Sequence, residues 1–316
     1  MKILAIFGGR KKSSSEAMAK LVLQGAKELG GDDVTVTAVR LLDLNIGPCT
    51  GCNACVDGLL SAKGIGECVN KDDFQWLSEQ ILDADGIVVS LPIFEKTVPG
   101  YFKDLCDRCG PGMDAALRTV SKKIREANGI SKMPDSRTWK RRVVSFIAHG
   151  GSDWNQTMMP VMTHFAVPLN MEIIDQILIP WDRQVLLHAE TVERLKKSGS
   201  HMYSCLKNMP EIMPYIGMDG LCPVCHGNVF NIDSKTATAS CGMCGINGKL
   251  SINTEGHVHI EFSDEEIAVS HALMGGKFKH LDDMKNIGSS AKDLMPKILE
   301  TKKYYSELFE NSCPKK

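Results

Sequence analysis

Five apolar runs, each closed by glycine, proline or a polar cluster, set the rhythm of residues 1–180. Lys2 to Phe7 is continuously apolar, the pattern of a strand buried on both faces, and it runs straight into Gly8-Gly9-Arg10-Lys11-Lys12-Ser13-Ser14-Ser15. Helical spacing follows from Glu16 to about Leu29, with Ala17, Leu21, Val22, Ala26 and Leu29 on one face. Val34 to Val39 alternates as a second strand, Gly86 to Leu91 is a third, Val143 to Ala148 a fourth and Met171 to Ile179 a fifth. Between them the pattern predicts helices from Asp72-Asp73 through Ile81, from about Tyr101 to Cys109, and over Asn155 to Val167. Strands alternating with helices predict an α/β fold with a doubly wound parallel sheet. Trp154, Trp181 and the Met158, Met159 and Met162 group read as core.

Two stretches depart from that rhythm. Gly110-Pro111-Gly112 breaks the pattern, and residues 110–141 are basic, with Lys122, Lys123, Arg125, Lys132, Arg137, Lys140 and Arg141, and with Arg142 just after. This reads as an insertion outside the sheet, either a solvated, part-helical surface or a clamp for an acidic group such as a nucleotide 2′-phosphate. After residue 205 the chain changes character. Residues 206–219, with Pro210 and Pro214, read as a connector. Cys222-Pro223-Val224-Cys225 follows, then fifteen residues, then Cys241-Gly242-Met243-Cys244. Two C-x-x-C knuckles at this separation are the pattern of a tetrahedral four-thiolate site. Val229–Ile232 with Thr236–Ala239, and Lys249–Ile252 with His257–Phe262, supply two hairpins, so residues 220–262 read as a zinc ribbon. A rubredoxin-like iron would accept the same thiolates. The metal would staple a β unit too small for its own core, and with nearly balanced charge a recognition surface is the less favoured role. His226 sits beside a ligand without being needed as one. Residues 263–316 predict helices over Glu265–Leu273 and Asp282–Phe309, joined by Gly275 to His280, the last packing on the sheet domain or a second subunit, with Cys313 a free tail thiol.

Composition narrows the chemistry. A formal net charge of −1 argues against general nucleic-acid or membrane-surface binding. The short apolar start ends at Gly8-Gly9 without a cleavage-type segment, and no stretch approaches a membrane span. Twelve cysteines in that setting predict metal and redox chemistry in a reducing, cytoplasmic compartment. Cys49, Cys52 and Cys55, with Cys68 beyond, are spaced to converge on a metal or an iron–sulfur cluster; metal-free redox thiols are the alternative. The loop ending in Ser13, Ser14 and Ser15, between a strand and a helix N-terminus, suits a single phosphate, or it is a plain turn with Ser13 as N-cap. It is neither GxGxxG nor a Walker A sequence. Ligands of open α/β sheets bind beyond the carboxyl ends of the strands. The serine loop, the cysteine loop and Pro92–Lys96 would share that edge. His149, at the end of the fourth strand, is either a polar contact to a ligand ring or a satisfied structural histidine.

The start through Ser15, the Cys49–Cys68 run with Asp72-Asp73-Phe74, Asp83 to Val88 into Leu91-Pro92-Ile93-Phe94, and Gly100 to Arg108 together resemble the flavodoxin-like NAD(P)H-dependent FMN reductases over residues 1–205. The cysteine-bearing branch of that superfamily is the iron–sulfur flavoproteins. The resemblance implies a five-stranded parallel sheet in the order 2-1-3-4-5, binding FMN. It puts the phosphate on Arg10, Lys12, Ser13, Ser14 and Ser15, and the isoalloxazine along Pro92, Ile93, Phe94 and Glu95 and against His149, Gly150 and Gly151. It makes Cys49, Cys52, Cys55 and Cys68 the ligands of a 4Fe–4S cluster, in a homodimer or homotetramer. One departure is the twelve residues Val56 to Glu67 between the third and fourth cysteines, where the family usually has few; a longer loop can still return a ligand.

These readings combine as an FMN-dependent oxidoreductase taking electrons from NAD(P)H or a reduced carrier. Its acceptor would be the cluster or a small molecule such as a quinone, a nitro- or azo-arene or an enone, with His149 as the candidate catalytic residue and the cofactor carrying the chemistry. The competing reading is an electron carrier or redox sensor that exchanges with a ferredoxin-like protein and docks it through the ribbon. A nucleic-acid-binding ribbon is disfavoured by charge.

Overall fold

The computed structural model describes residues 1–151 and 153–309. Its centre is a parallel sheet of β1 (Lys2–Phe7), β2 (Thr35–Arg40), β3 (Gly86–Pro92), β4 (Val143–His149) and β5 (Glu172–Ile179), in the order β2-β1-β3-β4-β5. That is the expected flavodoxin-like topology. Alternate residues divide the core between the two faces. Leu4, Ile6, Ile87, Val89, Leu91, Val144, Phe146 and Ala148 lie on one face, and Ile3, Ala5, Phe7, Val88, Val143 and Ile147 on the other.

The second face is covered by α1 (Ser14–Gly30) and by the long helix that follows β5. The first is covered through α2 (Ala54–Leu60), α3 (Phe74–Asp83), α4 (Gly100–Met113), α5 (Ala115–Ala127) and α6 (Met158–Thr163). The helix after β5 is α7 (Ala189–Asn208), and it crosses α1 where both carry glycine. A Cβ on Gly25 would sit 2.0 Å from the Lys196 carbonyl oxygen, and one on Gly199 would sit 1.8 Å from that of Val22. Backbone therefore meets backbone, and any side chain at either position would push the helices apart.

Several expectations change. Gly110-Pro111-Gly112 does not end a helix but lies inside α4. The fourth helix expected over Asn155–Val167 is shortened to α6 and a following 3₁₀ turn. Met158, Met159 and Met162 are core, whereas Trp154 and Trp181 are 56% and 64% exposed. The basic stretch is not solvated throughout, because Arg118, Arg125 and Arg142 are buried. Charge patterns mark surfaces only when no backbone carbonyl waits for the guanidinium, and here carbonyls do.

The C-terminal cysteines lie in a second sheet. Strands β6 (Phe230–Asp233), β7 (Thr238–Cys241), β8 (Asn247–Ile252) and β9 (Val258–Glu261) pair antiparallel in sequence order. The two expected hairpins thus join through β7 and β8 into one sheet. Its core residues Cys222, Cys225, Cys241, Met243, Cys244 and Ile246 pack against Val167 and Ile173 beside the parallel sheet. The stretch before it is more than a connector. The Ile216 and Met218 N–H groups donate to Ile174 and Gln176 carbonyls, at 3.0 and 3.3 Å, along the open edge of β5.

Then come α8 (Asp264–Ala268), α9 (Met274–Ala291) and α10 (Met295–Ser306), so Gly275–His280 is helical and not a joint. From Phe278 onward the helices form a separate unit. Cys313 lies outside the described residues. No helix among the described residues is long and apolar enough to cross a membrane.

Candidate active site

The carboxyl ends of β1, β3 and β4 bring together the loops singled out in the sequence. Past β1, Gly8 and Gly9 are buried, and Gly9 takes φ +87°. A Cβ on Gly8 would meet the Tyr101 hydroxyl at 2.6 Å, and one on Gly9 would meet Ser13 Oγ at 2.9 Å. The Gly9 N–H donates to that Tyr101 hydroxyl at 3.0 Å. Ser13 is the N-cap of α1: its Oγ accepts from the Glu16 N–H at 3.3 Å and donates to the Gly8 carbonyl at 3.4 Å. Ser14 is half-buried and Ser15 buried, while Arg10 and Lys12 are exposed at the rim. The sequence reading missed Arg40. This residue at the end of β2 donates to the Gly9 carbonyl at 3.4 Å and pairs with Asp43, setting a cation beside the loop. A basic residue closing the strand next to the first one was the available signal.

Past β3, the Ile93 N–H donates to the His149 carbonyl at 3.0 Å, which ties the second loop to the third. Phe94 and Thr97 bond each other across a tight turn, where Glu95 and Lys96 take φ +46° and +72°. Pro92 is half-buried, Ile93 is buried, and Phe94 and Glu95 are exposed. Gly150 and Gly151 also have positive φ, and a Cβ on Gly151 would meet Ile93 Cγ2 at 3.0 Å. His149 is half-buried, with its Nε2 buried and lacking a partner among the described residues. Burial pushes its imidazole pKa down, and a hydrogen bond to the Asp182 backbone acts the other way. Burial thus favours the neutral imidazole, and among the described residues its Nε2 stands without a partner at the strand ends.

Cys49, Cys52, Cys55 and Cys68 line one cleft, together with Arg108, Pro111 and Gly112 of α4. The Cys52 thiol is held down, chiefly by a hydrogen bond from the Ala54 backbone, and burial pushes the Cys55 thiol up. The long loop that returns Cys68 is anchored by the basic stretch. Arg125 donates to the Gly64 carbonyl, and Ser121 Oγ donates to the Leu59 carbonyl at 2.7 Å. A Cβ on Gly112 would lie 2.4 Å from the Gly66 oxygen, so the bare face of the Gly-Pro-Gly helix turn is what admits the loop. Arg108 closes the structure from below. It forms a two-pronged ion pair with Asp72 at 2.8 and 3.0 Å and donates to the Gly47 carbonyl at 2.9 Å.

In the second sheet, the ligand atoms of Cys222, Cys225, Cys241 and Cys244 all lie within 4.8 Å of one another. Sulfur pairs 222/244 and 225/241 are 3.4 Å apart, too long for a disulfide at about 2.05 Å. Four thiolates about 2.3 Å from one ion are close to this separation. Contact pushes the Cys225 thiol up and holds the Cys241 thiol down, the sharing of protons among sulfurs that a cation would relieve. The buried quartet thus fits one metal ion. The Cys49 quartet does not close to the same extent, and a cluster, with one iron per thiolate, takes ligands spread more widely.

Residues 1–178 match the family described as NADPH-dependent FMN reductase. The chain belongs to that family and is a flavin-dependent oxidoreductase. It is 28% identical over 314 residues to the flavone synthase cfoJ of Aspergillus candidus, covering 96% of this chain and 94% of that protein. A solved structure described as flavone reductase superposes with a TM-score of 0.84 at 32% identity, covering 100% of both chains. An iron–sulfur flavoprotein of Archaeoglobus fulgidus is 32% identical over 108 residues, 34% of this chain and 48% of that one. The site fits the cofactor of the family: two glycine cradles that no side chain could fill, a capped helix N-terminus with cations at its rim, and a His149 ring nitrogen without a partner among the described residues.

Proposed function

We propose that this protein reduces the conjugated double bond of a flavone-type ring ketone at the expense of NADPH, through FMN held at the ends of β1, β3 and β4. The observation that carries this is the full-length likeness to two proteins named for chemistry on flavones. That likeness extends through the second sheet and terminal helices, well past residue 178 where the reductase family match stops. The reaction balances as NADPH plus a proton plus the flavone giving NADP⁺ and the flavanone, with hydride arriving at the carbon β to the carbonyl and the proton at the α carbon.

FMN, when bound, supplies the two-electron exchange between nicotinamide and acceptor. The chain's own part is binding and orientation. Ser13, Ser14 and Ser15, with Arg10 and Lys12, would hold the phosphate at the α1 N-terminus, where backbone N–H groups and the helix dipole favour an anion. Arg40 adds a fixed charge. Ile93, Phe94, Gly150 and Gly151 would flank the ring, and the neutral His149 Nε2 would meet its polar edge. We further propose that Cys49, Cys52, Cys55 and Cys68 hold a 4Fe–4S cluster and that the Cys222 quartet holds zinc. Supporting these are the shared cleft with its braced loop in the first case and the close approach of four buried sulfurs in the second.

The test is anaerobic turnover with 2-phenylchromone. Flavanone should form in step with NADPH consumed, on protein whose iron, sulfide and zinc are counted. NADPH oxidation that the chromone does not accelerate would reject the substrate reading. Protein purified without oxygen that carries flavin but no iron or sulfide would reject the cluster.

A further inference from the structure

A cleft of about 330 Å³ lies between the parallel sheet and the metal-binding unit, and no residue assigned above to flavin or cluster lines it. One wall comes from the segment leading into α6 and from β5, with Met159 and Leu178; the other comes from Met218, Val229 and Met243. The volume is at the low end for small-molecule pockets and suits one compact ligand. Its amides serve the frame. Gln176 Nε2 donates to the Cys225 carbonyl at 2.8 Å, and Asn228 bridges Leu221 and Asp219. What faces the space is chiefly thioether and aliphatic surface, which adapts to flat rings. His226, beside Cys225 on the same wall, stacks on Tyr215 with centroids 3.7 Å apart and planes 10° apart, so the rigid knuckle continues into an aromatic edge.

The cleft is also wired to the flavin loops. Thr157 Oγ1 donates to the Lys96 carbonyl at 2.9 Å, and the Lys96 ammonium lies 4.3 Å from the centroid of the Trp154 ring. The Trp154 N–H donates to the Gly151 carbonyl. Asn155 and Gln156, next in the chain, are cleft lining. The segment that ends at the ring-contacting glycines therefore begins the cleft wall.

We infer that the metal-binding unit forms one wall of the acceptor pocket, and that the cleft seats the planar ring system of a flavone-type ketone beside the flavin. This inference rests on the proposed reaction for its choice of ligand. The metal quartet would then set specificity as well as fold, since Cys225 and Cys241 belong to the lining.

Met218 and Val229 are each 39% exposed and can be enlarged without entering the main core. Met218→Trp and Val229→Trp should each raise the dissociation constant and KM for 2-phenylchromone by about tenfold or more, a larger effect than removing a methylene. FMN content and NADPH:ferricyanide turnover should stay within about twofold, the scatter expected of a surface change, and Met218→Leu should match the parent. Binding is read by calorimetry on the oxidised, FMN-loaded protein, so it does not depend on turnover. Chromone binding that both tryptophans weaken, without chromone reduction in the parent, would sink the reaction and keep the cleft. Chromone reduced by the parent, with affinity unchanged in both tryptophan variants, would overturn the cleft and keep the reaction. No chromone binding by the parent, or ferricyanide turnover falling in parallel with chromone turnover, would also overturn it.

Discussion

Ser13 shows how one hydroxyl serves both local structure and site. Its Oγ caps α1 and contacts the Gly8 carbonyl, so the loop over the helix N-terminus is held by the side chain expected to meet the phosphate. Ser13→Ala should cost about 1 kcal/mol of stability through the lost cap. It should also weaken FMN by about tenfold, the scale of one charge-assisted hydrogen bond. Flavin fluorescence titration checks the second effect and thermal melting the first. A melting change with unaltered FMN affinity would leave Ser13 a cap alone. The sequence offered cap and phosphate ligand as alternatives; the geometry makes the cap certain and keeps the position compatible with both. Arg40 offered only a weak signal, a basic residue closing a strand; that it turns back to the Gly9 carbonyl of a neighbouring loop is decided by the strand pairing.

At the scale of elements, α4 and α5 act as a brace for the cysteine loop. The Arg108 and Asp72 side chains are 1% and 10% exposed, so their ion pair is worth little as net attraction but expensive to break. Asp72→Asn should cost about 3 kcal/mol near neutral pH, the cost of leaving a buried charge unpaired. The sign with pH follows from Arg108, whose hydrogen bonds hold the Asp72 carboxyl below its ordinary range. Its stabilisation is then complete above the unfolded value of about 3.9 and is lost as pH falls through the lower folded value. Urea midpoints should therefore separate parent and variant above about pH 5 and converge in acid; a constant gap would mean that the carboxylate charge is not what matters.

On the scale of the whole molecule, two sheets share one body up to Lys277, and the second depends on its sulfurs. The quartet is a large part of that sheet's core, beside the buried Ala239, Met243, Ile246 and Ile260, so the metal proposed for it would supply much of the folding energy. Stripping the metal, or Cys244→Ser, should abolish hydrogen-exchange protection across residues 230–261 and lower the melting temperature, with the parallel sheet still protected and FMN retained. Loss of FMN on the same treatment would show that the two sheets fold as one cooperative unit.

The sequence by itself determined the parallel sheet, the helices that follow β1 and precede β3, the three loops at its carboxyl edge and the C-terminal cysteine quartet. Each of these is written in short-range signals: apolar runs, a helix-start serine, knuckle spacing. Tertiary structure alone decided the rest. Basic residues in and just after the 110–141 stretch became buried because the carbonyls of Gly64 and Leu82, distant in sequence, arrive to be bonded by Arg125 and Arg142. Gly110-Pro111-Gly112 stayed helical because a loop presses on its bare face. The connector became an added edge to β5, and the second sheet packed against Val167 and Ile173, through contacts between segments that no local pattern links. Periodicity reports which face of an element is buried; what buries it is settled only when the chain has closed on itself.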